Sequence, residues 1–295
     1  MKANQRYLIT GAAGMLGQDL QRALDGRDVT ALRRTDLDIT DAEAVAAAVA
    51  GYDVVLNAAA YTAVDQAETD EDAALAINGA AVENLARACA AVGAKFVHFS
   101  TDYVFQGDAT EPYDEDAARD PLNAYGRTKA AGEIAALEAH PEGSYVIRTA
   151  WLYGAAGGNF AKTMVKLAGS HPEITVVDDQ RGQPTYTRDL AAKAVELIDA
   201  DAPAGIYHGT SSGECTWFDF AREIFRLSGN DPERVKPTDS SAFVRPAARP
   251  SYSVLGHRRW AEAGLEPIRD WREALEAAAV DGVLVIEPTP VAKVH

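Results

Sequence analysis

"LITGAAGMLGQDL" (residues 8–20) decides the fold. Three glycines, Gly11, Gly14 and Gly17, follow a short apolar run and open a stretch with helical periodicity. In that setting each glycine has a separate task. One permits the tight turn, one lets backbone approach a pyrophosphate, and one packs helix against strand. The first amides of the helix then face the phosphate charge. The spacing is G-x-x-G-x-x-G rather than G-x-G-x-x-G, so an ordinary glycine turn before a helix is the competing reading. The rest of the chain has to decide between them.

Outward from the loop, short apolar runs at 7–10, 29–32, 54–57, 96–100 and 145–148 read as strands. Helical patterns lie between them near 15–25, 41–50, 72–92 and 123–139. Continuous apolar strands separated by helices of this length predict a parallel sheet covered on both faces. The expected fold is therefore α/β, a Rossmann-type doubly wound parallel sheet with a smaller C-terminal substrate lobe. The expected division is 1–150 for a dinucleotide domain, with a returning segment near 185–210. Residues 151–280 would form mainly the lobe and 281–295 a tail. Helices are expected near 160–169, 188–200 and 217–228, a strand at 205–208, irregular chain over 237–256, and two short helices after it.

Composition limits the function. The 295 residues carry a formal net charge of −16, which leaves no basic excess for nucleic acid or an anionic membrane. Cys89 and Cys215 are far apart and neither belongs to a C-x-x-C pair. A disulfide framework or zinc site is not expected, and a cytoplasmic location is. "MKANQR" runs straight into the first strand with no signal-peptide core, and no apolar stretch approaches the ~20 residues of a membrane span.

Cofactor type is read after the second strand, where an acid binds the ribose of NAD and arginine accommodates the extra phosphate of NADP. Here Arg33 and Arg34 arrive first, so NADPH is expected, with NADH as the alternative. The fourth strand ends in "VHFSTDYVF" (97–105), placing Ser100, Thr101, Asp102 and Tyr103 at the ligand edge of the sheet. Tyr125 and Lys129 follow in "AYGRTKAAGE" (124–133), one helical turn apart on one face. A neighbouring ammonium favours the phenolate, so Lys129 is expected to lower the acidity constant of Tyr125 and make it a better general acid. Thr101 would orient the accepting oxygen.

These residues, with "NAAAYTAVDQAE", "INGAAVENLA", "RTAWLYG", "DDQRGQPTYTRDLA", "GIYH" and "RPSYSVL", resemble the extended short-chain dehydrogenase/reductase family, in its branch of dTDP-4-keto-6-deoxysugar reductases, over residues 7 to about 275. The resemblance implies NADPH-dependent reduction of the 4-keto group of dTDP-4-dehydro-6-deoxy-L-mannose. Tyr125 would be the proton donor, and Lys129 its electrostatic partner and a ribose ligand. Cofactor contacts would fall at Gly14, Met15 and Leu16, at Asp38 and Ile39, and at Ala60, Tyr61 and Thr62. Val64, Thr101, Asp102, Tyr103 and Trp151 would line the sugar pocket. For the diphosphate, Arg181 and Arg249 are candidates, with Asn159 as a polar contact. A magnesium ion at a homodimer interface stays open: Asp19 stands where a relative has its acid, but glutamate is the expected type. No metal ligand is assigned.

Four rivals compete with this reading. "GTSSG" (209–213) fits a hydrolase nucleophile elbow, but Thr216 and Asp219 form a capping box that explains the turn as a helix start. A nucleotide-sugar 4,6-dehydratase would need an acid where Tyr103 stands. A related 4-ketoreductase of an antibiotic pathway would share nearly every motif. A non-catalytic NADP-binding regulatory subunit would not need the Thr101, Tyr125 and Lys129 set.

Overall fold

The computed structural model describes residues 5–285. Six parallel strands form the central sheet: β1 (Arg6–Thr10), β2 (Asp28–Leu32), β3 (Val54–Asn57), β4 (Lys95–Thr101), β5 (Ser144–Thr149) and β6 (Gly205–His208). Their order is β2-β1-β3-β4-β5-β6. Chain order reverses between β1 and β3, and that switch point is where an open α/β sheet leaves a crevice at its strand C-termini.

The sheet is covered on both faces, which is why β3, β4 and β5 read as apolar runs rather than alternating ones. On one face α1 (Met15–Ala23) meets the later helix α6 (Thr187–Asp199), with Leu16 and Leu20 packed in one cluster with Leu190 and Ala194. The other face carries α2 (Ala42–Val49), α3 (Ala81–Val92) and α4 (Ala124–Ala139), through Val45, Val49, Val82, Leu85 and Ala136. A second core holds Met164, Val165, Phe220, Phe225, Trp271 and Leu275, from α5 (Phe160–Ala168), α7 (Trp217–Leu227) and α8 (Trp271–Val280).

Three expectations need amending. The helix expected over 72–92 is broken: Glu71–Leu75 is α-helical, Ala76–Ala80 is a single π-turn, and α3 follows. Such π-turns insert one residue and re-aim a side chain, here that of Asn78. The region expected to be irregular begins with a strand, Val235–Thr238, paired in parallel with Ile174–Val177. Lastly, the first residues of the expected tail pack against the second core, with Val283 and Leu284 buried. The remainder of that expected tail, 286–295, and residues 1–4 lie outside the described residues. No helix of the described residues is long and apolar enough to cross a membrane.

Candidate active site

The glycine loop is built by contact. Gly11 has φ +70°, and a Cβ there would lie 2.5 Å from the Ala59 backbone nitrogen. Gly17 sits inside α1, where a Cβ would lie 2.3 Å from the Gly11 carbonyl oxygen. Loop, helix and β3 extension therefore touch backbone to backbone. Gly14 occupies the N-cap of α1 without a side-chain hydrogen bond, so the first amides remain available to an anion. In front of them lies a cleft of about 350 Å³ lined by Gly11, Gly14, Arg33, Arg34, Asp38, Ile39 and Ala60. This cradle, held by Gly11 and Gly17 where an added Cβ would strike backbone, fits a dinucleotide. Arg33 pairs with Asp36 through backbone and side chain and is otherwise exposed. Asp38 is spent locally, accepting from the amide and hydroxyl of Thr40, and these bonds hold its carboxyl below the usual range.

Tyr61 and Thr62 continue the edge after β3. Asn78 pins this loop: its side-chain oxygen accepts from the Tyr61 amide at 2.9 Å, and its nitrogen donates to the Tyr61 carbonyl at 3.0 Å and the Thr128 hydroxyl at 3.2 Å. Sequence reasoning missed Asn78. A lone asparagine inside an apolar helix, "AINGA", was the available signal.

Helix α4 starts hard against the end of β4. Asn123 caps it by accepting from the Gly126 amide at 2.8 Å. A Cβ at Gly126 would lie 2.1 Å from the Tyr103 carbonyl oxygen. That close approach brings Tyr125 to Thr101, whose hydroxyl donates to Asp102 at 3.0 Å. The rings of Tyr103 and Tyr125 meet edge to face, with centroids 5.9 Å apart.

The electrostatics differ from expectation. Burial and the charge of Asp102 push the Tyr125 phenol up to about 12, against a hydrogen bond with Thr101 that pulls it down. Lys129 makes contacts of its own. The lysine is fully buried, its Nζ donates to the Phe99 carbonyl at 2.6 Å, and it faces His98 Nε2 at 3.3 Å. Burial lowers its pKa to about 8, opposed by Glu133. Asp102, also buried, is raised to about 6 against hydrogen bonds from Ser253 and Thr101. The expected phenol sharpened by an adjacent ammonium is thus a phenol that keeps its proton at neutral pH.

A second, larger cleft of about 860 Å³ opens beside Tyr103, lined also by Asp65, Phe160, Trp217, Arg245 and Arg249. Arg249 pairs with Asp65 at 3.0 Å. Trp151, at an unusual φ of +46°, stacks on Trp217 with centroids 3.6 Å apart and packs against the second core, behind the cleft wall. Val64 begins the short helix that carries Asp65. Two candidates are placed elsewhere. Arg181 pairs with Glu214 and does not line this cleft. Asn159 caps α5 by accepting from Lys162 N and donates to the Gly154 carbonyl, with its amide 3.7 Å from the Met15 sulfur. It tethers the lobe to the glycine loop. Sequence reasoning also missed Arg245 and Trp217.

Residues 5–283 match the family model described as the RmlD substrate binding domain. The chain belongs to this family. It is 53% identical to a dTDP-4-dehydrorhamnose reductase of Streptomyces griseus, covering 92% of this chain and 91% of that one. It is 50% identical to a dTDP-4-keto-6-deoxy-D-glucose reductase of Streptomyces niveus, covering 92% and 96%. A solved dTDP-4-dehydrorhamnose reductase from Bacillus anthracis, in complex with NADP, is 41% identical with a TM-score of 0.91, covering 94% of this chain and 99% of that one.

Within this RmlD-family chain the hydrolase alternative has no site. Ser211 is buried, Ser212 donates to the Ile268 carbonyl, and His257 is held by Thr210. The capping box of Thr216 and Asp219 is formed as expected. Asp19, the position weighed for a metal, is buried with its two oxygens taken by Arg22 and Thr187. Among the described residues no group of three or more His, Cys, Asp or Glu side chains could hold a metal.

Proposed function

We infer that the chain reduces the 4-keto group of dTDP-4-dehydro-6-deoxy-L-mannose to dTDP-L-rhamnose with NADPH. The observation that carries this is Tyr125 beside Thr101, at the strand edge between a dinucleotide cradle and a roomy cleft. When bound, the cofactor supplies the hydride to C4. The glycine loop and α1 amides hold its phosphates, and Arg33 and Arg34 border the adenosine end of the cleft, which favours NADPH over NADH.

Thr101 positions the substrate oxygen by hydrogen bonding, and Tyr125 gives that oxygen its proton as negative charge develops there. A phenol held near 12 retains its proton at neutral pH and is released from it only by the stronger base forming in the reaction. Lys129 supplies positive charge when protonated. Arg249 and Arg245 line the larger cleft and would meet a diphosphate, with Trp217, backed by Trp151, as an apolar wall for base or sugar.

A second reading, reduction of a 4-keto-6-deoxy sugar of D-gluco configuration, is favoured by the near-equal identity to the Streptomyces niveus enzyme. The deciding experiment offers NADPH with each of the two dTDP-4-ketosugars and identifies the C4 epimer formed. Turnover of the L-sugar to dTDP-L-rhamnose is expected. Turnover confined to the D-sugar selects the second reading, and binding of NADPH without turnover of either removes both.

A further inference from the structure

Three polar side chains lie in one line across the sheet: Thr10 and Asn57 end β1 and β3, and His98 lies inside β4. Thr10 of β1 is in register with Asn57 of β3, and Asn57 with His98 of β4. All three are buried, His98 completely. Their hydrogen bonds form a chain whose direction can be read from one end. The Ala59 backbone amide, which can only donate, gives its proton to Asn57 Oδ1 at 3.1 Å. The Thr10 hydroxyl bonds the same oxygen at 2.7 Å. That oxygen is therefore the acceptor end of the amide, and Nδ2 is the end facing His98 Nδ1, at 3.1 Å. An amide nitrogen there only donates, so His98 Nδ1 must accept and carry no proton. The ring is neutral, since burial and Lys129 hold it well below its ordinary value. Its single proton is thus on Nε2, which faces Lys129 Nζ at 3.3 Å.

We propose that His98 is a positioning residue for Lys129: Asn57 locks its ring in the Nε2–H tautomer, so that a proton donor, not an acceptor, faces the lysine nitrogen. An ammonium meets this N–H head on, donor against donor. A neutral amine is matched on both sides, accepting from His98 and donating to the Phe99 carbonyl. His98 therefore sets how readily Lys129 gives up its proton. The other groups acting on the lysine are few. Glu133, one turn further along α4, favours the charged form, but it is itself tied to Arg148 of β5 and to Arg119. Thr10 and Asn57, from β1 and β3, do not titrate. Asp102, beyond β4, acts on Tyr125.

The kinetic consequence rests on the reductase reading, whereas the tautomer does not. The first measurement is 15N NMR of the full chain labelled at histidine, with the His98 signals identified by their loss in His98→Gln. A neutral ring protonated at Nε2 is expected across neutral pH; a ring protonated at Nδ1, or charged, overturns the proposal. The second is the alkaline limb of kcat/KM. His98→Phe, which fills the space without a donor, should move that limb upward by about 1 pH unit, while His98→Gln, which keeps a side-chain N–H, should hold it near the native position. An unmoved limb in His98→Phe, or an equal shift in both variants, overturns the role. If His98→Phe does not fold, the NMR result on the native chain decides alone. Failure of the chain to reduce either ketosugar would remove the reductase reading and leave the tautomer to be judged by NMR.

Discussion

Replacing Gly17 by alanine tests whether the cofactor cradle is made by backbone contact. A Cβ at Gly17 would sit 2.3 Å from the Gly11 oxygen and 2.8 Å from the Ala12 Cα. Both are main-chain atoms, so no side chain can swing aside. Ordinary contact begins at 3.4 Å, so loop and helix must separate by roughly 1 Å, enough to misalign the amides aimed at the pyrophosphate. Losing one charge-assisted hydrogen bond costs about 1.5–3 kcal/mol, which weakens the NADPH Kd by about 10- to 100-fold. Helix propensity works the other way, favouring alanine by about 0.8–1 kcal/mol, so it cannot cause the loss. Fluorescence titration with NADPH reads the Kd. Gly26→Ala is the control: at φ +77° with no atom within 4 Å of the added Cβ, it should lose about 1 kcal/mol of stability and keep its affinity. An unchanged Kd in Gly17→Ala refutes the contact argument, and equal losses in both variants refute its locality.

Tyr125→Phe should lower kcat by about 10²- to 10⁴-fold while the NADPH Kd stays within about twofold; near-normal turnover would remove Tyr125 as the proton donor. Glu133→Gln should destabilise the chain by about 3–5 kcal/mol, read by urea unfolding, because fully buried Arg148, bonded to both Glu133 oxygens, loses its counter-charge; a change under about 1 kcal/mol would mean the pair is not the anchor of α4. Melting temperature should fall as pH drops from about 6.5 towards 5. Burial holds His98 and His208 well below their ordinary value and His257 at about 4. The unfolded chain therefore takes up protons that the folded chain refuses. Asp102 and Glu115, raised by burial, oppose this by taking up protons when folded, so a flat or rising melting temperature would show that the histidines do not dominate.

What could be read from the sequence follows from what each residue's physics is local to. The sheet was legible because strands buried on both faces leave continuous apolar runs, and the glycine loop because three glycines at a strand-to-helix junction have few other uses. Tyr125 and Lys129 were legible as a pair on one helical face, but not their electrostatics. Spacing put the ammonium beside the phenol; the fold gave it to Phe99 and His98 instead. The contacts of Arg181 and Asn159 were hidden for a related reason. Each has a near partner, Glu214 or the start of α5, and spacing along the chain does not show it. Two-residue strands such as Leu152–Tyr153 with Thr185–Tyr186 are too short to show any period. The polar line across the sheet emerged only with the strand register. Thr10 and Asn57 end apolar strands and His98 lies inside one, and a buried polar group without a partner is costly. Three such groups in register in neighbouring strands bond to one another, so their alignment marks a single wired structure, which ends at the lysine.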